Sequence, residues 1–152
     1  SVDCVIFGFE ENELKVLVIK CNIKEYKGKW SLLGDLVKPD EDIDAASYRI
    51  LKGRTGLNDV YLEQVKSFGK PNRHPAGRVI TIAYFSLVNI KNHELKLADN
   101  ELHWHPVNDI VDMAFDHKEI LLPQSYLNYN NGRVLRISHK KFKFKIIKLD
   151  AA

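Results

Sequence analysis

One helix with well-marked ends interrupts a strand-rich chain, and this feature constrains the fold most. The polar break Lys38–Asp42 contains residues that commonly cap helix N-termini. Gly56 stands where a helix commonly ends in the left-handed conformation. Between them, apolar residues recur at helical spacing, so they are predicted to share one buried face. These residues are Ile43, Ala46, Ile50 and Leu51.

Runs rich in β-branched and aromatic residues lie on both sides of this helix and predict strands. A turn at Glu10–Glu13 makes the first two strands a hairpin. A second helix is predicted at Asn108–Leu122. This order of strands, helix, strands and helix is typical of an α+β fold with a mixed β-sheet. The predicted strands are Val2–Phe9, Leu14–Ile19, Trp30–Gly34, Val60–Phe68, Arg78–Val88 and Leu102–Val107. The residues predicted to face inward from the second helix are Ile110, Val111, Ala114 and Phe115.

The bulk properties are those of an ordinary globular domain. The length of 152 residues fits one domain, with 45% hydrophobic and 28% charged residues. No apolar run approaches the roughly 18 residues that span a bilayer, and the first residues do not resemble a signal peptide. Cys4 and Cys21 are interpreted as reduced thiols. We therefore expect a cytoplasmic location and no membrane partner.

The charge is distributed unevenly along the chain. Residues 131–152 contain seven basic residues against the single acidic residue Asp150. The net charge of the whole chain is only +3, so the preceding part carries a net negative charge. Lys141, Lys143 and Lys145 alternate with apolar residues, which predicts an extra basic C-terminal strand or hairpin. This strand is either a contact surface for a polyanion or a solvated edge protected by lysines.

The segment from Gly34 to Leu57 resembles the Nudix family signature. That signature is a glycine, five residues, a glutamate, seven residues, Arg-Glu, an aliphatic residue, any residue, Glu-Glu, any residue, glycine and an aliphatic residue. Alignment on Gly56 places Arg49 on the family arginine and Glu41 on the first glutamate, whereas Asp35 replaces the glycine that opens the signature. The resemblance extends over about residues 2–121. It implies a Nudix fold, in which a mixed β-sheet is sandwiched between helices.

The positions that bind metal in this family have lost their carboxylates here. The glutamate that should follow the arginine is Ile50, and the Glu-Glu pair is replaced by Gly53 and Arg54. Hard divalent cations need several oxygen ligands, so no metal site and no cofactor are predicted. No catalytic residue is expected either, and Glu41 is interpreted as a structural partner of Arg49, with Gly56 as the third structural box residue. If the domain is active, Glu41 is the catalytic candidate with Mg²⁺ or Mn²⁺.

The chain also resembles the Nudix-related bacterial transcription regulators, in which a degenerate Nudix domain senses ADP-ribose or a pentose sugar. The resemblance implies a catalytically inactive sensor domain that binds a small-molecule effector, forms a homodimer and reaches DNA through its C-terminal region. The alternative is a hydrolase of a nucleoside diphosphate-linked substrate such as ADP-ribose, with non-standard metal ligands. The segments that carry this resemblance are 2–9, 56–64, 77–85 and 114–121.

The domain boundary is predicted between residues 122 and 123. Residues 1–122 form the Nudix-like domain, and residues 123–152 form a basic extension. A winged helix needs more than the 31 residues that follow Leu121. The extension is therefore interpreted as a remnant or part of a winged-helix DNA-binding region, or as a segment that never formed one. Its predicted nucleic-acid contacts are Lys141, Lys143 and Lys145.

Six residues are predicted to contact a ligand in the cleft beside the helix. Trp30 offers an aromatic face to a base or sugar, and Arg78 offers a phosphate partner. The alternatives are a core aromatic and a surface ion pair. His103 and His105 have a spacing that suits metal chelation on one strand face, although no third ligand is evident, and His117 is interpreted as a capping or packing residue. The six residues are Lys20, Trp30, Gly34, Asp35, His74 and Arg78.

Overall fold

Strands dominate the computed structural model, which describes residues 1–95, 102–110 and 112–121 and the backbone of 127–130 and 133–137. Seven described strands form one mixed sheet, and helices lie on both of its faces. The predicted α+β class with a mixed sheet is therefore confirmed. No helix among the described residues is long and apolar enough to cross a membrane.

The first two strands form the predicted hairpin. β1 pairs antiparallel with β2, with Glu10 opposite Glu13. Glu11 and Asn12 have φ values of 50° and 65°, as the tight turns that match strand twist require. The strands of the sheet are β1 Val2–Glu10, β2 Glu13–Lys20, β3 Trp30–Ser31, β4 Leu33–Asp35, β5 Glu63–Phe68, β6 Thr81–Asn89 and β7 Leu102–Pro106.

Strand β1 is the centre of the sheet. It pairs parallel with β6 along most of its length and antiparallel with β2 and β4. β5 extends the sheet beyond β6, and β3 and β7 both pair with β2. Because side chains alternate along a strand, β1 contributes to both cores. Its residues Val2, Cys4 and Ile6 enter one core, and Val5 and Phe7 enter the other.

Helix α1, Ile43–Thr55, has the ends that the sequence predicts. The Asp42 carboxylate accepts from the N–H of Asp44 at 2.9 Å, and Gly56 ends the helix at φ 73°. Three of the four predicted inward residues are buried against β1. The fourth, Ile43, is 39% exposed, so its predicted burial is wrong. It lies in the first turn of the helix, at the edge of the covered face.

The prediction of a long second helix is wrong. The described part of Asn108–Leu122 contains only a 3₁₀ turn at 107–109 and the short helix α2, His117–Leu121. Ile110 and Ala114 are nevertheless buried as predicted, and Phe115 is half-buried. Val111 lies outside the described residues.

Tertiary contacts explain why the segment before α2 is not helical. The N–H of Ala114 donates to the carbonyl of Trp30 at 2.7 Å, and Met113 forms a parallel bridge with Trp30. An N–H bound to a strand is not available for a helical bond. Phe115 has φ 55°, a left-handed value that breaks a right-handed helix.

Three predicted strands differ clearly from the structure, whereas the other three agree with it to within one residue at each end. β5 begins at Glu63 rather than Val60, and β6 begins at Thr81 rather than Arg78. The predicted strand Trp30–Gly34 is two strands, because the N–H of Leu32 between them donates to His117 Nδ1 at 2.9 Å. A two-stranded hairpin of β8, Leu127–Asn130, and β9, Arg133–Ile137, follows α2. The predicted strand containing Lys141, Lys143 and Lys145 lies outside the described residues.

Candidate functional site

The loop before α1 is held to the helix by an ion pair. Arg49 Nε and Nη2 donate to the two carboxylate oxygens of Glu41 at 2.8 and 2.6 Å. The N–H of Lys38 donates to Glu41 at 2.8 Å as well. These hydrogen bonds, those from Arg49 first, lower the pKa of Glu41 to about 2. Both oxygens are therefore occupied by protein donors, and Asp35 lies 3.8 Å from Arg49 on the same side.

The three positions that carry metal-binding glutamates in Nudix hydrolases differ in exposure. Ile50 is 2% exposed and belongs to the core between α1 and β1. Gly53 and Arg54 lie on the exposed side of the helix. Three or more clustered metal-binding side chains are not found anywhere in the described residues. An apolar residue, a glycine and a cation do not fit a hard divalent metal.

Replacing Gly53 with alanine is expected to raise the free energy of unfolding by about 1 kcal/mol. An added Cβ would meet no atom within 4 Å, and the helix would gain a residue of higher propensity. Urea denaturation of the two proteins measures the difference. Gly8→Ala is the contrasting variant, because its Cβ would lie 2.7 Å from Ile90 and Trp104 and should destabilise the protein. A Gly53→Ala protein no more stable than wild type would contradict the prediction.

Two of the predicted ligand contacts, Lys20 and Trp30, lie together. Lys20 Nζ is 3.6 Å from the centroid of the Trp30 ring and donates to the Gly28 carbonyl at 2.9 Å. The rings of His103 and His105 lie 5.1 and 5.8 Å from that of Trp30, both edge to face. One face of the indole is therefore covered by an ammonium group, and two imidazoles lie beside it at steep angles.

The other predicted contacts are placed elsewhere. Arg78 is exposed and donates to the Gly69 carbonyl at 2.6 Å, within the loop between β5 and β6. In the same loop, the His74 ring stacks on Phe115 with a centroid distance of 4.9 Å and an interplanar angle of 9°. Gly34 lies against the carboxylate of Asp3, and a Cβ at this position would collide with it. As ligand contacts these residues stay predictions.

The sequence reasoning missed a buried polar cluster centred on Arg73. Its side chain is 3% exposed, and it donates twice to Asp116, at 2.8 and 2.6 Å. A third nitrogen donates to Thr81 at 2.9 Å. Asp3 lies 4.0 Å from Arg73 and 3.8 Å from His117. Asp3 was the available signal, since a carboxylate inside an apolar strand needs a partner. Nothing in the sequence identifies Arg73, which lies 70 residues away along the chain.

Protein stability is expected to fall as the pH falls below about 6.5, the ordinary pKa of histidine. Burial is the main cause that lowers the pKa of His117, although Asp3 and Asp116 oppose it. The unfolded chain therefore binds more protons than the folded one as the pH drops. In addition, Nδ1 accepts from Leu32 N–H and cannot do so when protonated.

Urea midpoints at pH 7.5 and 5.5 measure this dependence. His117→Gln should flatten it, whereas the exposed His103→Gln should leave it as in wild type. Equal pH dependence in wild type and His117→Gln would contradict the role of His117.

Comparison with known proteins places the chain in a family. A model described as the NUDIX domain matches residues 1–124. The chain belongs to the Nudix family. The chain is 34% identical over 136 residues to the ADPR responsive transcriptional repressor NtrR of Acinetobacter baylyi, covering 86% of this chain and 54% of the repressor. The chain thus spans about half the length of that relative.

The names of two further similar proteins include ADP-ribose. The ADP-ribose pyrophosphatase of Methanocaldococcus jannaschii is 31% identical over 127 residues, covering 82% of this chain and 73% of that protein. The solved Nudix domain of Shewanella oneidensis NrtR, complexed with ADP ribose, has a TM-score of 0.69 and 27% identity. That alignment covers 79% of this chain and 81% of the other. The chain therefore resembles both a transcriptional repressor and an enzyme, and ADP-ribose appears in the names of both.

Proposed function

We propose that this Nudix domain binds ADP-ribose without hydrolysing it and serves as the sensing part of a transcription regulator. The observation that supports the proposal most is which residues occupy the metal-binding positions of α1. The helix presents Gly53 and Arg54 where a hydrolase presents carboxylates, and Ile50 is buried. Glu41 is engaged by Arg49 and Lys38. The described residues contain no cluster of carboxylates that could hold a metal to activate water, which supports binding without turnover.

The relatives support the choice of effector and of regulator. One relative is a repressor responsive to ADPR, and one structural neighbour is a complex with ADP ribose. A domain that has lost metal ligands keeps the surface beside the helix, so binding is retained while turnover is lost. The proposed contacts are the predicted ligand residues, with Lys20 and Trp30 first because they lie together. These two lie at the margin of the core that contains α2 and not beside α1, where they were predicted.

Calorimetry and product analysis test the proposal together. ADP-ribose is titrated into the protein with EDTA present, and a parallel sample with Mg²⁺ or Mn²⁺ is followed by ³¹P NMR. We expect saturable binding in EDTA and no release of AMP or ribose 5-phosphate. Absence of binding under all conditions would refute sensing of this effector. Metal-dependent release of products would refute inactivity.

A hydrolase is the second candidate, and the similarity to the pyrophosphatase of Methanocaldococcus jannaschii favours it. Under this alternative the metal ligands come from positions outside the usual set, such as Asp35, which is exposed. Turnover that is lost in both Glu41→Gln and Asp35→Asn, with folding retained, would support this alternative. Turnover that persists in both variants would point to a contaminating enzyme.

We also propose DNA as a partner through the basic C-terminal segment, while the homodimer stays a prediction from the resemblance to the regulators. The support is the repressor relative and the charge of residues 131–152. Lysines that contact phosphates release counterions, so DNA affinity should fall steeply with salt. A variant with glutamine in place of Lys141, Lys143 and Lys145 should lose most of the salt dependence of its DNA affinity. Salt-independent binding would argue for a solvated edge strand instead.

A further inference from the structure

Trp30 and three neighbouring side chains lie on one face of the sheet. Lys20 is directly opposite Trp30 in the pairing of β2 with β3. His103 and His105 are opposite Val18 and Val16 in the pairing of β2 with β7. Residues opposite each other in antiparallel strands point to the same face. Both valines belong to the core beneath α2, so the Trp30 cluster (Lys20, Trp30, His103 and His105) lies at the margin of that core.

The ammonium group of Lys20 is held in place without a carboxylate partner. It lies over the indole of Trp30, and the Gly28 carbonyl takes one of its three N–H donors. Among the described residues, no acidic side chain lies within 4 Å of it. Asp112, which precedes the residue bridged to Trp30, is paired with Lys29 at 3.1 Å. The cluster therefore has a fixed positive charge with free donors.

His105 supplies a hydrogen-bond acceptor beside this charge. Its Nδ1 lies 3.0 Å from the carbonyl of Pro106. A carbonyl only accepts, so Nδ1 carries the proton and donates. In the neutral ring Nε2 is then an acceptor, and it makes no hydrogen bond to a described residue. His103 is exposed, and neither of its ring nitrogens bonds to a described residue.

We propose that the Trp30 cluster is a binding subsite for a sugar phosphate. The Lys20 ammonium donates a hydrogen bond to a phosphate oxygen, and His105 Nε2 accepts a hydrogen bond from a sugar hydroxyl. Trp30 holds both groups, because each contacts its ring. A divalent metal on the two imidazoles is disfavoured by the neighbouring ammonium charge. The subsite rests on the proposed function in that its expected occupant is the ribose phosphate half of ADP-ribose. A free sugar phosphate offers the same phosphate and hydroxyl groups.

Titration of five proteins in EDTA tests the subsite. The ligands are ADP-ribose, ribose 5-phosphate, ribose and inorganic phosphate, and binding is measured by calorimetry. Lys20→Met should weaken binding of every phosphorylated ligand by about tenfold or more, the loss of one charge-assisted hydrogen bond. His105→Phe, which keeps a ring against Trp30, should weaken binding of ribose 5-phosphate but not of inorganic phosphate.

Two control variants remove the same chemistry elsewhere. Lys66→Met removes an ammonium that lies 4.9 Å from the Phe68 ring centroid. His93→Phe removes an imidazole whose Nδ1 likewise bonds a backbone carbonyl, that of Asn89 at 2.9 Å. Both should bind every ligand within twofold of wild type. Equal losses in the control variants would overturn the subsite.

The remaining outcomes separate the subsite from the proposed function. Wild-type protein that binds ribose 5-phosphate but not ADP-ribose, with loss in Lys20→Met, supports the subsite and refutes the proposed effector. Undiminished binding by Lys20→Met, or no binding of any phosphorylated ligand by wild type, overturns the subsite. If Lys20→Met fails to fold, NMR of wild type decides: the indole N–H of Trp30 should shift during titration with ribose 5-phosphate, and an unmoved signal is contrary to the proposal.

Discussion

Arg73→Met is expected to lower the free energy of unfolding by about 3–5 kcal/mol, the usual cost of removing one partner from a buried ion pair. Arg73 makes three side-chain hydrogen bonds and is 3% exposed. Its removal leaves the carboxylate of Asp116, which is only 13% exposed, without the two donors from Arg73, and it removes the guanidinium that lies 4.0 Å from Asp3. Methionine fills most of the volume, so the loss reports charge and hydrogen bonding rather than a cavity.

Arg78→Met is the matched control for this variant. Arg78 lies in the same loop, but it is exposed and makes one hydrogen bond to a backbone carbonyl. Its replacement should change stability by no more than about 0.5 kcal/mol. Guanidinium denaturation at pH 7 compares the two. The double variant Arg73→Met with Asp116→Asn should recover part of the loss, since the orphaned charge is gone. Similar small effects at both arginines would show that the buried pair contributes little.

The ion pair of Arg73 with Asp116 holds together two segments that are far apart along the chain. It joins the loop between β5 and β6 to the turn before α2. That turn contains Phe115 in its left-handed conformation, and the loop contains His74, which stacks on it. A left-handed conformation in an aromatic residue costs energy and persists only when its surroundings hold it. Arg73 supplies that restraint, so its loss should also release the ring stack.

Local signals predicted the elements whose backbone bonds are local. The cap at Asp42, the left-handed Gly56 and the turn at Glu11 and Asn12 were all readable within a few residues. The segment 108–122 has apolar residues at helical spacing, yet the N–H of Ala114 donates to the carbonyl of Trp30, in a distant part of the chain. The spacing of apolar residues predicts which side chains are buried, but it does not predict which acceptor a backbone N–H will bond.

The candidate site was predictable to the same extent. The missing carboxylates of α1 and the pair of Glu41 with Arg49 were predicted from the resemblance to the Nudix signature, and the structure contains that pair. The choice between Arg73 and Arg78 depends on which arginine meets Asp116, and that depends on a contact between distant segments. The assembly of Lys20 and Trp30 with two imidazoles likewise depends on strand register, since β7 lies beside β2 only in the folded sheet.

Ile50→Glu, which restores one glutamate of the Nudix box, is expected to destabilise the protein by about 4 kcal/mol or more at pH 7. Ile50 is 2% exposed in the core that contains Val2, Cys4 and Leu51. The substitution removes buried apolar surface and places a carboxylate where no donor awaits it. Burial raises the pKa of such a carboxylate, so the folded state binds more protons than the unfolded one and the penalty should shrink as the pH falls toward 4.5.

Two matched variants separate the causes of this loss. Ile50→Val should cost only about 0.5–1.5 kcal/mol, and Ile50→Gln should cost less than glutamate at pH 7 and show no such dependence on pH. By contrast, Gly53→Glu with Arg54→Glu should fold as well as wild type, because both positions are exposed and Gly53 has open space. Thermal unfolding of wild type, these four variants and the triple variant Ile50→Glu, Gly53→Glu and Arg54→Glu, with and without Mn²⁺, measures these effects. If Ile50→Glu proves as stable as wild type and the triple variant binds Mn²⁺, the box can still take a metal by point substitution. A large loss at Ile50 means that its side chain has become part of the core, so the metal site cannot be restored at that position without repacking.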